Sequence, residues 1–555
     1  MVKPRLFSFI WSLRMIILLA YSHQSWSQDC KIYVDSVLVI QSQFKSLYHR
    51  NAETNKLLLN LWKDNYLFAQ ISDSSSNEIY IHKGDKYPFV VGALDESNKQ
   101  LINKMGKKSI SPFQHAEAQI KYWSDHGYPF ATFHLSGIQK SRDSYTADLM
   151  LSKGPFIDFD TLFLVHKIKT DEAYIEKTLD LERGTPFSET SFQSIEKKIA
   201  RLPYLTLTQT PDIAFENESA TVYLEFEERS SNSFEGVVGL LPGQSSGKAL
   251  ITGYLDLELT NLFGSGKGFS FNWNRFASQS QAMEMEYSHP FFLDTRMLID
   301  FGFSLLKQDT SFVNQEWNLS LGTFLGQTGI IKANYTSSNA NLITTSQQVI
   351  SSNNIVDYNR DIYSFSTELN NYDIPFGFKE GLKTYASMAI GQKRIRKNPN
   401  VDNQFYDSIT LKSNLIKAAF KLKYQQKIHK QLTVYHQLES GLIRNNQVLR
   451  NEMFRIGGLR SMRGFNENFF YADQYALSRL EIRQYFERES YFMIFYDQLY
   501  YQYESIEDFP LGLGLGLTLS ANNSLFNFAM AVGKSRDIPF DLSTAKIHFG
   551  YISRF

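Results

Sequence analysis

The sequence predicts an all-β transmembrane β-barrel of about sixteen antiparallel strands, preceded by small α+β repeats. Two observations carry this prediction. After residue 230 the chain consists of short runs in which apolar and polar residues alternate, separated by clusters of Gly, Ser and Asn. Aromatic residues make up 15% of the chain, which exceeds the needs of a soluble core and suits the interfacial girdles of a barrel.

Composition excludes several classes of protein. A chain of 555 residues is longer than one ordinary domain, so we divide it before interpreting any motif. Lys plus Arg and Asp plus Glu both number 57, and this zero net charge predicts no basic surface and no nucleic-acid partner. The single cysteine, Cys30, excludes an internal disulfide, and we interpret it as an incidental free thiol.

The first 27 residues have the pattern of a secretory signal. Basic residues precede a short apolar run at 15–20, and small residues at 25–27 suit a signal peptidase. The alternative is a membrane anchor, but the run is far shorter than the ~20 residues that span a bilayer. We therefore predict that segment 1–27 is removed on export.

Three modules are predicted between the signal and residue 230, with boundaries 28–86, 87–155 and 156–230. Each has two extended stretches in the order strand, turn, strand, and the first module is degenerate. Apolar residues at helical spacing predict helices within 111–127 and 185–203. These modules are either spacers or strand edges that accept another polypeptide, and the sequence leaves both interpretations open.

The segment 231–555 carries the barrel pattern. Strands of a barrel alternate apolar and polar side chains because successive residues point to opposite faces. The clearest example is a run of five leucines alternating with Gly, Thr and Ser: Leu511, Leu513, Leu515, Leu517 and Leu519. About 320 residues allow roughly sixteen strands of ~10 residues with loops. The last predicted strand, 546–555, ends on Phe555, as outer-membrane barrels of bacteria do.

Five stretches in the expected order carry a family resemblance: NLFGSGKGFSFNW (261–273), HPFF (289–292), RIGGLRSMRGFNENFF (455–470), SRLEIR (478–483) and IFYDQLY (494–500). With them, the chain resembles the BamA and TamA family of outer-membrane assembly barrels, whose periplasmic modules are called POTRA domains. The resemblance covers nearly the whole mature chain. Met462 departs from the β-branched residue that usually precedes the family's Arg-Gly-Phe.

The resemblance implies that Arg463, Gly464 and Phe465 form the tip of a long loop that folds back into the barrel lumen. Alternation directs Glu481 inward if Leu480 and Ile482 on either side face lipid.

Asp497 belongs to the following strand, and the resemblance makes these two carboxylates the partners of Arg463. The alternative is an ordinary surface arginine in an external loop. Arg455 and Arg460 have weaker claims, and we expect them only to line the lumen.

The resemblance also implies a seam between the first and last strands that pairs poorly and opens sideways. In this chain the seam would join 234–241 to 546–555. Gly236 and Gly239 weaken a strand and would suit a labile edge, although they suit an ordinary first strand as well. Gly550 and Phe555 are the candidate seam residues on the last strand.

The function implied is assembly or insertion of proteins in the outer membrane of a Gram-negative bacterium, with the modules in the periplasm. Expected partners are outer-membrane lipids, unfolded outer-membrane protein clients, and periplasmic or lipoprotein partners. No enzymatic reaction, cofactor, nucleotide or metal is expected, because GLGLGL at 512–517 lacks the GxGxxG spacing and the histidines lack ligand spacing.

The alternatives are a protein translocation or secretion pore and a passive pore or surface antigen. An outer-membrane lipase ranks third, since no sequence pattern nominates a nucleophile with its base and orienting acid.

Overall fold

A computed structural model describes residues 29–43, 47–75, 77–87, 89–94, 112–141, 144–241, 250–277, 279–326, 328–371, 380–487, 489–521 and 524–555. The predicted signal, 1–27, lies outside the described residues.

Two compact units are present. One comprises Met1–Lys167, Thr178–Glu196 and Leu207–Phe226, and the other comprises Ile168–Lys177, Lys197–Thr206 and Glu227–Phe555. Across the described ranges, no helix has both the length and the apolar character required to cross a membrane.

The part before residue 230 alternates short strands and helices. Its strands are β1 (Asp29–Val34), β2 (Val37–Gln43), β3 (Gln70–Ser74), β4 (Glu78–His82), β5 (Phe89–Leu94), β6 (Thr132–Ser141), β7 (Ser144–Ser152), β8 (Asp158–Leu164), β9 (Leu205–Leu207), β10 (Asp212–Glu216), β11 (Ser219–Leu224) and β12 (Phe226–Glu228). Its helices are α1 (Leu47–Lys63), α2 (Pro112–Ser124), α3 (Glu172–Leu179) and α4 (Glu189–Ile199). Helices α2 and α4 confirm the two predicted helices.

The strands of this part form separate small sheets. Their orders are β2-β1-β4-β3, β5-β7-β6, β10-β11-β8 and β12-β9. Ile32 and Ile79 form a buried cluster with apolar residues of α1, and Cys30 is buried and unbridged beside it on β1. Leu59 and Trp62 of α1 also pack with Phe133 and Leu149 of the next sheet, so the first two sheets share an apolar core.

The barrel begins at residue 233. Its elements are β13 (Ser233–Leu241), β14 (Leu250–Leu262), β15 (Lys267–Ala277), β16 (Ser280–Phe292), β17 (Met297–Gln308), β18 (Phe312–Leu325), β19 (Gly329–Leu342), α5 (Gln347–Asn353), β20 (Asp357–Asn370), β21 (Gly381–Arg396), β22 (Lys412–His429), β23 (Leu432–Arg444), β24 (Phe454–Ile456), β25 (Phe470–Ala472), β26 (Gln474–Tyr485), β27 (Tyr491–Tyr503), β28 (Ile506–Asp508), β29 (Leu511–Ala521), β30 (Ser524–Lys534) and β31 (Lys546–Arg554).

These strands close into an antiparallel barrel in sequence order, from β13 to β31. Three short elements stand apart from the wall. Strands β24 and β25 pair only with each other, within the loop between β23 and β26, and β28 pairs only with the end of β27. Sixteen long strands therefore form the wall across the described residues, which confirms the predicted barrel and its strand number.

The outer face of the wall is apolar and the inner face is polar. On β17, Phe301 is 47% exposed whereas the adjacent Asp300 is 4% exposed and bonds Lys332 inside the lumen. On β29, Leu513 and Leu515 are exposed on the outside, as the predicted alternation requires. A closed wall pairs its backbone groups internally, so an apolar exterior of this kind is that of a transmembrane barrel.

A charge should destabilise the outer face of β18 more than the inner face. We expect Leu319→Arg, at the middle of the apolar face, to lower the free energy of unfolding by about 2–4 kcal/mol, because arginine then enters hydrocarbon.

The matched change Asn318→Arg places the same charge inside the lumen and removes two hydrogen bonds, one donated to Thr336 and one accepted from Ser320, at a cost of about 1–2 kcal/mol. Urea unfolding of the barrel in lipid vesicles measures both values. Equal losses for the two variants would contradict the assignment of the faces.

Candidate functional site

The loop between β24 and β25 turns back along the inside of the barrel. Gly464 has φ +90°, a conformation that side chains rarely adopt, and a Cβ there would lie 2.7 Å from the backbone nitrogen of Gly533 on β30. On the neighbouring strand, a Cβ at Gly512 would lie 2.3 Å from the carbonyl oxygen of Arg463. Glycines on both the loop and the wall therefore allow the loop tip to contact the inner surface.

Apolar packing holds this loop in place. Met462 and Phe465 are buried in a cluster with Ile456, Phe470 and Leu499. The Phe465 and Phe470 rings meet edge to face at 4.8 Å. Met462, which departs from the β-branched residue of the family pattern, fills this cluster and is fully buried.

Arg463 is the centre of the site, and its side chain is only 1% exposed. Its Nε and Nη2 donate to the two carboxylate oxygens of Asp497 at 2.7 and 2.5 Å. Its Nη1 donates to Oε1 of Glu481 at 2.7 Å. The guanidinium also lies 3.6 Å from the centre of the Phe495 ring. The structure thus brings together the three residues that the sequence nominated, in a bidentate geometry that fixes the arginine's orientation.

Two further arginines complete this cluster. Arg483 donates to Oε2 of Glu481 at 2.6 and 2.8 Å, and Arg479 approaches Glu481 and Asp497 at 3.9 Å. Sequence reasoning missed both residues, although their spacing from Glu481 gave the signal. Positions 479, 481 and 483 alternate along β26 and therefore share its inner face.

The charges keep Arg463 in its ionised form. Burial lowers the pKa of the Arg463 guanidinium, but the hydrogen bond to Asp497 and the negative charges of Glu481 and Asp497 raise it by more, so it stays above the ordinary value. A charged arginine that donates a hydrogen bond from each of its three nitrogens ties the loop to β26 and β27.

A second buried ion pair lies in the loop layer at the same end of the barrel. Lys393 on β21 donates from Nζ to Oε1 of Glu452 at 2.8 Å, and both side chains are almost fully buried. Around it, Ile350 of α5, Val401 and Leu449 from three different loops share one apolar cluster. Sequence reasoning missed this layer, which joins three loops through one buried cluster.

The seam between the first and last strands is short. Within the described residues β13 and β31 form three residue pairs, Ser233 with Arg554, Phe234 with Ser553, and Glu235 with Ile552. By contrast, β13 forms nine pairs with β14, and β30 forms eight with β31.

The four candidate seam residues occupy different places. The Phe555 amide donates to the carbonyl of Asn232 at 2.9 Å and so extends the seam by one bond. A Cβ at Gly550 would lie 3.5 Å from Oε1 of Glu235, so Gly550 allows close approach. Gly236 and Gly239 pair with β14 beyond the three seam pairs. Pairing across the seam is therefore confined to the first residues of β13.

We predict that Arg463→Ala lowers the free energy of unfolding by about 3–5 kcal/mol, because it leaves the buried Asp497 carboxylate without its main partner and removes one hydrogen bond from Glu481. Arg463→Lys keeps the charge but loses the bidentate geometry, so an intermediate loss is expected. Urea unfolding in lipid vesicles gives the values, and protease cleavage within 457–469 reports release of the loop.

The matched control is Arg394→Ala, since Arg394 is exposed and bonds Gln392 two residues away on its own strand. We expect it to change stability by no more than about 0.5 kcal/mol. An Arg463→Ala barrel as stable as this control would mean that the cluster does not hold the loop.

Comparison with known proteins places this geometry in a known fold. No family model matches the chain, and no curated protein matches it. CdiB from Acinetobacter baumannii matches with a TM-score of 0.55 at 13% identity, over 92% of this chain and 99% of that chain. CdiB from Escherichia coli matches with a TM-score of 0.53 at 13% identity, over 92% and 97%. BamA from Haemophilus ducreyi lacking POTRA domains 1–3 matches with a TM-score of 0.42 at 12% identity, over 85% and 99%. The predicted barrel fold is confirmed, because this chain has the fold of the CdiB barrels, and the assignment of the N-terminal modules as POTRA domains stays a prediction.

Proposed function

We propose that this protein inserts or translocates other proteins at the outer membrane of a Gram-negative bacterium, with its N-terminal modules in the periplasm. The observation that carries the proposal is the seam, where three residue pairs join strands that are fully paired on their other sides. A wall that is weak at one place, and closed elsewhere, supports a barrel that opens sideways at that place.

An open seam would offer a template for a new strand. Residues 236–241 of β13 pair with β14 but not with β31, within the described part of the chain. Unpaired backbone groups are costly next to hydrocarbon, so a strand from an unfolded client would satisfy them by adding to this edge. The step needs no covalent chemistry and no cofactor, and client folding would supply its free energy.

The periplasmic modules would hold the client before insertion. Strand β2 is an edge strand of its sheet and exposes Val37 and Val39 to solvent. An exposed apolar edge is a place where an extended polypeptide adds by strand pairing, which favours the accepting role over a spacer role. Unfolded outer-membrane proteins are the proposed clients, and periplasmic or lipoprotein partners are further proposed ligands of these edges.

The loop structure favours this proposal over a passive pore. The loop that carries Arg463 is tied to the inner face of β26 and β27, and a buried layer from three loops surrounds the Lys393–Glu452 pair. Solute passage through the lumen would require both to move. Opening at the seam requires neither the Lys393 pair nor the apolar loop cluster to break.

A disulfide across the seam tests the proposal. Phe234→Cys with Ser553→Cys links two directly paired residues, in a chain whose Cys30 is replaced by Ser. In cells depleted of the native copy, we expect the locked barrel to reduce assembly of outer-membrane proteins to the depleted level. Reduction of the disulfide should restore assembly.

The matched control places the second cysteine on the other side of the first strand. Phe234→Cys with Leu257→Cys links β13 to β14, where the wall is not expected to open. This lock should leave assembly unchanged. If the Phe234–Ser553 lock also leaves assembly unchanged, insertion at the seam is wrong, and secretion or conduction through the lumen becomes the better account.

A further inference from the structure

A second arginine of the lumen loop reaches the first two strands of the barrel. Arg460 lies 3.3 Å from Oε2 of Glu235 on β13 and 2.9 Å from Oδ2 of Asp256 on β14. Its guanidinium lies 4.9 Å from the centre of the Tyr254 ring, and the Tyr254 hydroxyl donates to Glu235. Arg460 therefore contacts three polar side chains, Glu235, Asp256 and Tyr254, on the inner face of the barrel beside the seam.

Glu235 is the residue at which pairing across the seam ends. It pairs with Ile552 on β31, and the described residues that follow it on β13 have no partner there. A Cβ at Gly550 of β31 would lie 3.4 Å from the Tyr254 hydroxyl and 3.5 Å from Oε1 of Glu235, so the Glu235 carboxylate lies beside the last strand. Arg460 therefore contacts the β13 residue that forms the last pair across the seam.

The remainder of the loop is attached on the other side of the seam. Arg463 binds β26 and β27, and Gly464 contacts β30. The carbonyl of Arg460 itself accepts a hydrogen bond of 2.9 Å from Arg479 on β26. The loop segment 460–464 therefore joins β26, β27 and β30 to β13 and β14, across the inside of the seam.

We propose that Arg460 is a latch that positions the first strand and closes the seam from the lumen side. Its ion pairs with Glu235 and Asp256 break when the seam opens, while Arg463 stays bound. This inference rests on the proposed function, because a latch has a use only where the seam opens.

Arg460 and Arg463 differ in their exposure to solvent. The Arg460 side chain is 50% exposed, so water and salt screen its ion pairs, whereas Arg463 is almost fully buried. A cavity of 380 Å³, lined by Glu235, Asp256 and Ile552 among others, lies beside the contact and gives it room to separate. A weak contact next to open space suits a latch that releases, and a buried cluster suits a fixed anchor.

The test measures closure of the seam without any client. Hydrogen–deuterium exchange in lipid vesicles follows the backbone amides that pair across the seam between 233–235 and 552–555. These amides exchange when the seam opens, so their exchange rate follows the open-to-closed ratio even where the closed barrel dominates. We expect Arg460→Gln to raise the open-to-closed ratio by about threefold, the range for exposed ion pairs, and Arg460→Lys to restore part of the closure.

The matched control is Arg455→Gln. Arg455 belongs to the same connection but donates to Gln308 on β17, far from the seam in strand order, and this variant should match the unchanged barrel. Salt provides a measurement that needs no variant, because raising NaCl from about 0.05 to about 1 M should open the unchanged barrel and leave Arg460→Gln unaffected.

Equal exchange rates of the seam amides in the unchanged barrel, Arg460→Gln and Arg455→Gln would overturn the latch. The proposed function is judged separately, by client assembly with the locked seam. A latch that opens the seam in vesicles, combined with a locked seam that still supports assembly, would keep the latch and reject insertion at the seam.

Discussion

Backbone hydrogen bonding in a medium without water is the constraint on which this structure depends. Each N–H and C=O group of a spanning strand must be paired, so the strands close into a barrel and hold their registers. Pairing is extensive through the wall, with fourteen residue pairs between β18 and β19 alone. Within the described residues, β13 and β31 form only three pairs, so this edge of the wall is weakly paired. A function that requires the barrel to open would be located at this edge.

The interior of the barrel is organised around that edge. Arg463 is anchored by charge-assisted hydrogen bonds in a buried cluster, which makes the loop a fixed part of the wall at β26 and β27. Arg460 reaches the opposite edge through half-exposed contacts that water weakens. Burial thus gives two arginines of one loop different strengths, and the weaker contact is the one that faces the seam.

Sequence patterns predicted the barrel and part of the site because those features are local. Alternation along each strand fixed the apolar face at Leu515 and the inward direction of Glu481, and glycine at 464 indicated a tight loop tip. The contact of Arg460 with Glu235 joins residues 225 positions apart, and Lys393 meets Glu452 across 59 positions. Neither pair leaves a periodic signal, and the number of residue pairs between the first and last strands depends on how the whole barrel closes.

The free energies involved indicate how the seam could open without an external energy source. An antiparallel ladder has about one hydrogen bond per residue pair, and such bonds contribute about 0.6–1 kcal/mol each in membrane proteins. Three pairs then contribute about 2–3 kcal/mol, and the exposed Arg460 contacts add about 1 kcal/mol or less. An opening of about 2–4 kcal/mol leaves the closed barrel dominant and an open minor state populated at about 0.1–3 per cent. Pairing of a client strand with the freed edge would replace the lost bonds, so the client itself would shift the barrel to the open state.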